Sequence, residues 1–259
     1  MSLPEWAEAM DLEKDIEGRL QKEYGVTRTQ DINTKARNRL RDAIVEAALS
    51  DHITKTVPIE GYDGEVFETN EGLEEGESYD VEKGKKVFIA IGLPAAGKST
   101  TFANPLAKKY KARLCDSDAV KKVLPEFANG YGGNIVHDES TDINERILAG
   151  AVEKGDNIVY PILGYKPEKL KKLMQMFKDK GYNVNLCFKD MPANIAKGRL
   201  LGRFLQKGRY LPLTCISKAQ GEVGDSFEAV KGFADAYIRA TSDPDGSNEK
   251  VIDSKGKIL

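Results

Sequence analysis

Apolar positions along this chain follow three successive rhythms. From Pro4 to Tyr24 they recur at three- and four-residue steps, as Ala9, Leu12, Ile16 and Leu20, with charges between them. That spacing predicts an amphipathic helix stopped by Gly25. A second stripe, Ile32, Ala36, Leu40, Ala43, Ile44 and Ala47, predicts another helix, and Thr27 followed by Gln30 reads as its capping box. Arg37, Arg39 and Arg41 lie beside this stripe and read as its solvated flank. Two such helices joined by a short loop form an antiparallel pair that buries little alone, so it needs the rest of the chain to pack against.

The second rhythm is short and broken. Ile53 to Phe67 carries strand-type residues around a turn at Asp63-Gly64, which predicts a small hairpin. Glu60 to Asp80 holds many acids and no Lys or Arg, and Glu71 to Glu82 reads as a solvated linker. Composition then shifts at Gly84-Lys85-Lys86. This divides the chain into a small, mainly helical module over 1–80 and a second domain over 81–259.

From Val87 onward, apolar runs of strand length alternate with helical patterns. The strands are Val87 to Ile91, Ala112 to Cys115, Asn157 to Leu163 and Asn183 to Phe188, with a helix from Pro167 to Gly181 among the intervening ones. Alternation of this kind predicts an α/β fold with a parallel sheet flanked by helices, and ligands at the C-terminal ends of its strands. The segment from Lys250 to Leu259 reads as a terminal hairpin around Ser254-Lys255-Gly256.

The first strand runs directly into Gly92-Leu93-Pro94-Ala95-Ala96-Gly97-Lys98-Ser99, with Thr100 following. The spacing Gly-x-x-x-x-Gly-Lys-Ser between a strand and a helix is that of a phosphate-binding loop. The glycines let the backbone curl so that its N–H groups converge on an anion, and the helix N-terminus adds its dipole. Lys98 is placed to reach the β- and γ-phosphates, and the Ser99 hydroxyl to ligate Mg²⁺. ATP and Mg²⁺ are therefore the expected ligands, and the fold class is that of a P-loop kinase.

Position supplies the other candidates. Asp116 and Asp118 end the second strand, where one carboxylate can cap the next helix and the other can accept a proton from a substrate hydroxyl. Glu145 lies on the face of its helix opposite Ile143 and Ile147, towards either the cleft or water. The stretch Ala196 to Leu213 is rich in cations, including Lys197, Arg199, Arg203, Lys207 and Arg209. Arginines there can close over a transferred phosphoryl group, or form a basic surface facing the acidic linker.

Composition narrows the classes. With a net charge of −2, nothing global points to nucleic acid or an acidic membrane. The three cysteines, Cys115, Cys187 and Cys215, are far apart, which argues against a disulfide framework or a zinc site and fits a reducing cytoplasm. Two histidines cannot make a three-histidine metal centre. No apolar run approaches the roughly 20 residues of a membrane span, and the N-terminus lacks a signal-peptide pattern. No Asn-Lys-x-Asp guanine signature occurs, and Cys187-Phe188-Lys189-Asp190 matches a second acidic motif only loosely. Small kinases remain.

The ordered set resembles the zeta toxins, phosphate-loop kinases of bacterial toxin–antitoxin systems. The likeness rests on Gly92 to Ser99, on Asp116-Ser117-Asp118 followed by a helix and Pro125-Glu126-Phe127, and on the Asn144-Glu145-Arg146 helix. It continues through Gly155-Asp156-Asn157 and Met191-Pro192 to Arg203 and Arg209. The resemblance implies that Lys98 binds phosphate, Asp118 is the base, Glu145 contacts a sugar, and Arg203 and Arg209 clamp the phosphate. It implies ATP-dependent phosphorylation of UDP-N-acetylglucosamine, which blocks cell-wall precursor synthesis. One stretch departs from the family. Where an acid and a threonine are usual after the third strand, this chain has Tyr160-Pro161-Ile162-Leu163-Gly164. Because zeta toxins are silenced by a helical antitoxin, the resemblance also gives residues 1–80 an inhibitory role in cis. Other readings are a kinase of polynucleotides, antibiotics or other metabolites, and a nucleotide-binding switch without catalysis.

Overall fold

The computed structural model describes residues 3–207, 211 and 214–259. Helix α1 (Leu3–Tyr24) stops at Gly25, which takes a φ of 72°. It buries Ala9, Ile16 and Leu20, whereas Leu12 is exposed. Helix α2 spans Lys35–Ala48 and is capped by Thr34, whose hydroxyl accepts from the Arg37 N–H at 3.1 Å. The box expected at Thr27 and Gln30 does not start this helix. Thr29–Asp31 is a single 3-10 turn, and the Gln30 side chain donates to Asp142 instead.

Four short strands follow: β1 (His52–Ile53), β2 (Thr56–Pro58), β3 (Val66–Glu68) and β4 (Tyr79–Asp80). β2 and β3 form the expected antiparallel hairpin, closed over Asp63-Gly64 by the bond from Glu65 N–H to the Tyr62 carbonyl. β1 and β4 also pair, which was not expected. That pairing folds the acidic segment back onto the protein. Leu73, Tyr79 and Val81 pack with Ile53, while Glu77 pairs with Lys108 and Glu68 with Lys122. The segment is docked, because its apolar residues have a core of their own and its acids find lysines.

The remaining elements alternate as predicted: β5 (Lys86–Ile91), α3 (Asn104–Lys109), β6 (Arg113–Leu114), α4 (Ser117–Val123), α5 (His137–Lys154), β7 (Ile158–Ile162), α6 (Pro167–Asp179) and β8 (Asn183–Lys189). Then come α7 (Ala193–Lys207), α8 (Thr214–Ala219), α9 (Glu222–Val230), β9 (Ala236–Thr241) and β10 (Lys250–Lys255). The six-stranded sheet has the order β10-β9-β8-β5-β7-β6. All its neighbours are parallel except β9 and β10. The expected terminal hairpin is thus formed differently: Lys250–Lys255 pairs back onto β9, and the turn is the loop after Thr241.

β5 lies in the middle of the sheet and is buried on both faces. Val87, Ile89 and Ile91 point into the larger core, Phe88 and Ala90 into the smaller one. The larger core is covered by α4, α5, α6 and α9, and also by α2 through Leu40, Ile44 and Ala48. Charges fix α2 there. Arg37 is buried, with Nη2 2.6 Å from Glu139 and 2.9 Å from Glu126, and Arg41 reaches Glu139 at 2.7 Å. The solvated flank expected of Arg37 and Arg41 is therefore wrong, whereas Arg39 is exposed. Periodicity cannot reveal carboxylates supplied by a helix a hundred residues away. At the other end of α2, buried Arg113 donates to the Ala48 and Ser50 carbonyls while holding buried Asp156 at 2.7 Å. Among the described residues, no helix is long and apolar enough to cross a membrane.

Candidate phosphoryl-transfer site

The loop after β5 is shaped by its backbone. At Gly92 (φ 152°) an added Cβ would lie 2.7 Å from the Lys189 carbonyl, so the end of β8 leaves room only for glycine. The Gly92 N–H donates to the Leu163 carbonyl and anchors the loop to the end of β7. Ala95 and Gly97 take positive φ values of 60° and 99°. Positive-φ residues on either side of Ala96 can turn neighbouring amides towards a common centre, the shape of an anion cradle. The Lys98 ammonium folds over this cradle, 2.8 Å from the Gly92 carbonyl and 3.0 Å from that of Leu93. The following helix opens with one π turn, Ser99–Ala103, before α3.

The two aspartates after β6 separate their tasks. Asp116 is the N-cap of α4, its Oδ1 accepting from the Asp118 N–H at 2.9 Å. Asp118 sits in the first turn with its carboxylate partly exposed, 3.2 Å from the Lys121 ammonium. Lys121 is itself buried, and sequence reasoning passed over it. Its only signal was its place one turn after Asp118. Glu145 is exposed on α5, and its neighbour Asn144 donates to the Cys115 carbonyl. Tyr160, on β7, lies within the field of these acids. Burial first, then the Cys115, Glu145 and Asp116 charges, push its phenol up to about 12, so it stays a neutral hydrogen-bond donor.

The basic segment divides as well. Arg203 is exposed on α7, and Arg209 lies outside the described residues. Arg199, which sequence spacing could not orient, reaches the loop itself: its Nη1 is 3.1 Å from the Ala96 carbonyl. Phe204, beside Arg203, is buried against Ala9 of α1 and edge-on to Tyr131. The loose second acidic motif serves another purpose, since Asp190 is held by Arg239 at 2.6 Å. A groove of ≈ 710 Å³ opens between the starts of α6 and α9, with Tyr165, Lys166, Lys169, Glu222, Asp225 and Ser226 among its walls. It begins one residue after Gly164, which packs on Ile91 at the entrance to the loop.

The Zeta toxin family model matches residues 70–252. The chain belongs to the Zeta toxin family. Its members are kinases, so the protein is a phosphotransferase. The match starts within the acidic segment and ends inside β10, so it takes in the whole parallel sheet. Among solved structures, one from the PezAT chromosomal toxin–antitoxin system of Streptococcus pneumoniae matches with a TM-score of 0.60 at 14% identity, covering 87% of this chain and 83% of that one. The AvrRxo1-ORF1:-ORF2 structure with ATP matches at 0.55 and 17% identity, over 94% of this chain and 67% of that one. The native AvrRxo1-ORF1:-ORF2 complex gives 0.52 and 20% identity, over 65% and 58%. At such identities these likenesses establish the shared fold. No curated protein matches the chain by sequence.

Proposed function

We propose that the protein transfers the γ-phosphoryl group of ATP to a hydroxyl of a nucleotide sugar of the UDP-N-acetylglucosamine kind. The observation that carries this is the pairing of a loop shaped for phosphate with a partly exposed carboxylate at the start of α4, both at the C-terminal edge of one sheet. Lys98 leaves its two carbonyls for the phosphate oxygens, and the loop amides bind the same charge. Gly92 lets the loop leave β5 against the Lys189 carbonyl, which sets the start of the cradle. Mg²⁺ would be held by the Ser99 hydroxyl and would neutralise phosphate charge. Asp118 orients the acceptor hydroxyl and takes its proton. Lys121 keeps that carboxylate in place. Contact with the sugar is assigned to Glu145 and the Tyr160 phenol, and neutralisation of the transferred phosphoryl charge to Arg203 and Arg209. The groove beside Tyr165 offers lysines for an acceptor's diphosphate and carboxylates for its hydroxyls.

The test uses full-length protein, Mg²⁺, ATP and a panel of nucleotide sugars, with products weighed by mass spectrometry. Lys98→Ala should abolish transfer. Asp118→Asn should slow it by about 10²-fold or more. Intact transfer by Asp118→Asn would refute the base assignment. The Tyr160-to-Gly164 stretch replaces the family's acid and threonine, so the panel includes other alcohols: polynucleotide ends, aminoglycosides and small metabolites. If ATP binds but no acceptor reacts, the site is a nucleotide switch.

We further propose that residues 1–80 restrain the kinase in cis, in the cytoplasm where its substrates lie. Support comes from Ala9 of α1, which is packed on Phe204 of α7, the helix that carries Arg199 and Arg203. Removing α1 alone should raise activity. A folded protein without α1 that is no more active would refute this restraint.

A further inference from the structure

We propose that Arg199 is a positioning residue that sets the orientation of the Ala96–Gly97 peptide in the phosphate loop. This inference rests on the reading of that loop as the ATP site. Arg199 is half-buried on α7, whose Ala196 and Leu200 are buried. Its guanidinium donates to three backbone carbonyls: Nη1 to Ala96 at 3.1 Å, Nη2 to Asp243 at 3.0 Å and Nε to Pro244 at 2.9 Å. A planar fork satisfied on three sides has one orientation. Asp243 and Pro244 belong to the β9–β10 loop, whose far end is held by the ion pair between buried Lys189 and Glu249 at 2.6 Å. Lys189 in turn supplies the carbonyl that crowds Gly92. The guanidinium is therefore braced by a loop that is tied to the same loop it adjusts.

The consequence follows from peptide geometry. In a trans peptide the C=O and the next N–H point in opposite directions. With the Ala96 carbonyl drawn out to Arg199, the Gly97 N–H is turned away from Arg199 and into the cradle. The loop does not enforce this by itself. Gly97 has no Cβ and sits at a φ of 99°, so the peptide before it can flip at little steric cost. Flipped, it would aim a carbonyl dipole at the phosphate. Ala95 beside it is held in the left-handed region, a strained setting that outside contacts must maintain. A lysine at 199 could reach one carbonyl but could not bridge three.

Titration of full-length protein with Mg²⁺-ATP, and with inorganic pyrophosphate as a probe without a base, tests the assignment. Arg199→Ala and Arg199→Lys should each weaken both ligands by about tenfold or more. Their melting temperatures should stay near that of the unaltered protein. Millimolar methylguanidinium should restore much of the lost affinity in Arg199→Ala and leave the unaltered protein unchanged. Equal affinities in the variants, or weakened binding without rescue and with a parallel fall in melting temperature, would overturn the proposal. If the unaltered protein binds neither ATP nor pyrophosphate, the loop reading fails and this inference with it. If it binds both and the variants match it, only this inference fails.

Discussion

Arg37 carries more of this protein's stability than its place on a polar helix flank suggests. Its guanidinium is 7% exposed and sits between Glu139, 1% exposed, and Glu126. Removing one partner of a buried pair strands the other charge in a poor solvent, at a cost of about 3–5 kcal/mol. Arg37→Ala and Glu139→Ala should each lose that much in urea titrations at neutral pH. Burial alone would raise the Glu139 carboxyl, but hydrogen bonds from Arg37, Thr29 and Arg41 hold it below its ordinary 4.5. A carboxyl depressed in the folded state stabilises fully above its unfolded value and loses that contribution as pH falls through the folded value. The deficit of Glu139→Ala should therefore shrink below pH 4.5. The cysteines supply a second check at this scale. Burial pushes the Cys115 thiol up to about 12 and raises that of Cys187, while Cys215 is partly exposed. A thiol reagent at pH 8 should label Cys215 alone in the folded protein and all three cysteines in denaturant.

Among the elements, α1 and α2 differ in kind. Ile44 of α2 is fully buried in the same core as the strand that leads to the phosphate loop, so Ile44→Ala should cost about 2–5 kcal/mol in a denaturant titration. α1 makes smaller clusters, Ile16 and Leu20 with Ile32 and Ile135, and Ala9 with Phe204. Deleting residues 1–25 should leave a cooperatively folding protein with higher kinase activity, whereas deleting 1–80 removes part of the core. The two stripes were legible because helix periodicity reports which face is apolar. What each face meets was not, because that depends on α5 and α7, far along the chain. The same limit explains the acidic segment. Its charge was plain, but the pairing of β1 with β4 that docks it rests on two-residue strands. β9 was missed for a related reason: the run Ala236–Thr241 carries Arg239, which looks polar until Asp190 is found beside it.

At the scale of the whole molecule, the central sheet is parallel except for its β9–β10 pair, with the phosphate-loop motif at the C-terminal end of its strand β5, and that motif's place at a strand end could be read in advance. A phosphate loop is contiguous, so its eight positions carry their own evidence. Asp118 could be expected near it because strand ends face the ligand in such folds, whereas helix periodicity left Glu145 between the cleft and water. Arg199, Lys121 and Tyr160 could not be expected there, since each acquires its meaning from a partner distant in sequence or from burial. Arg199 was one cation among several until its bond to Ala96 distinguished it from exposed Arg203. The measurement that bears most directly on the central claim is mass analysis of nucleotide sugars incubated with Mg²⁺-ATP and the chain lacking residues 1–25, beside the same chain carrying Lys98→Ala. The account predicts a product heavier by one phosphoryl group with the first and none with the second. A folded, ATP-binding protein that modifies no nucleotide sugar, or equal product from both chains, would contradict it.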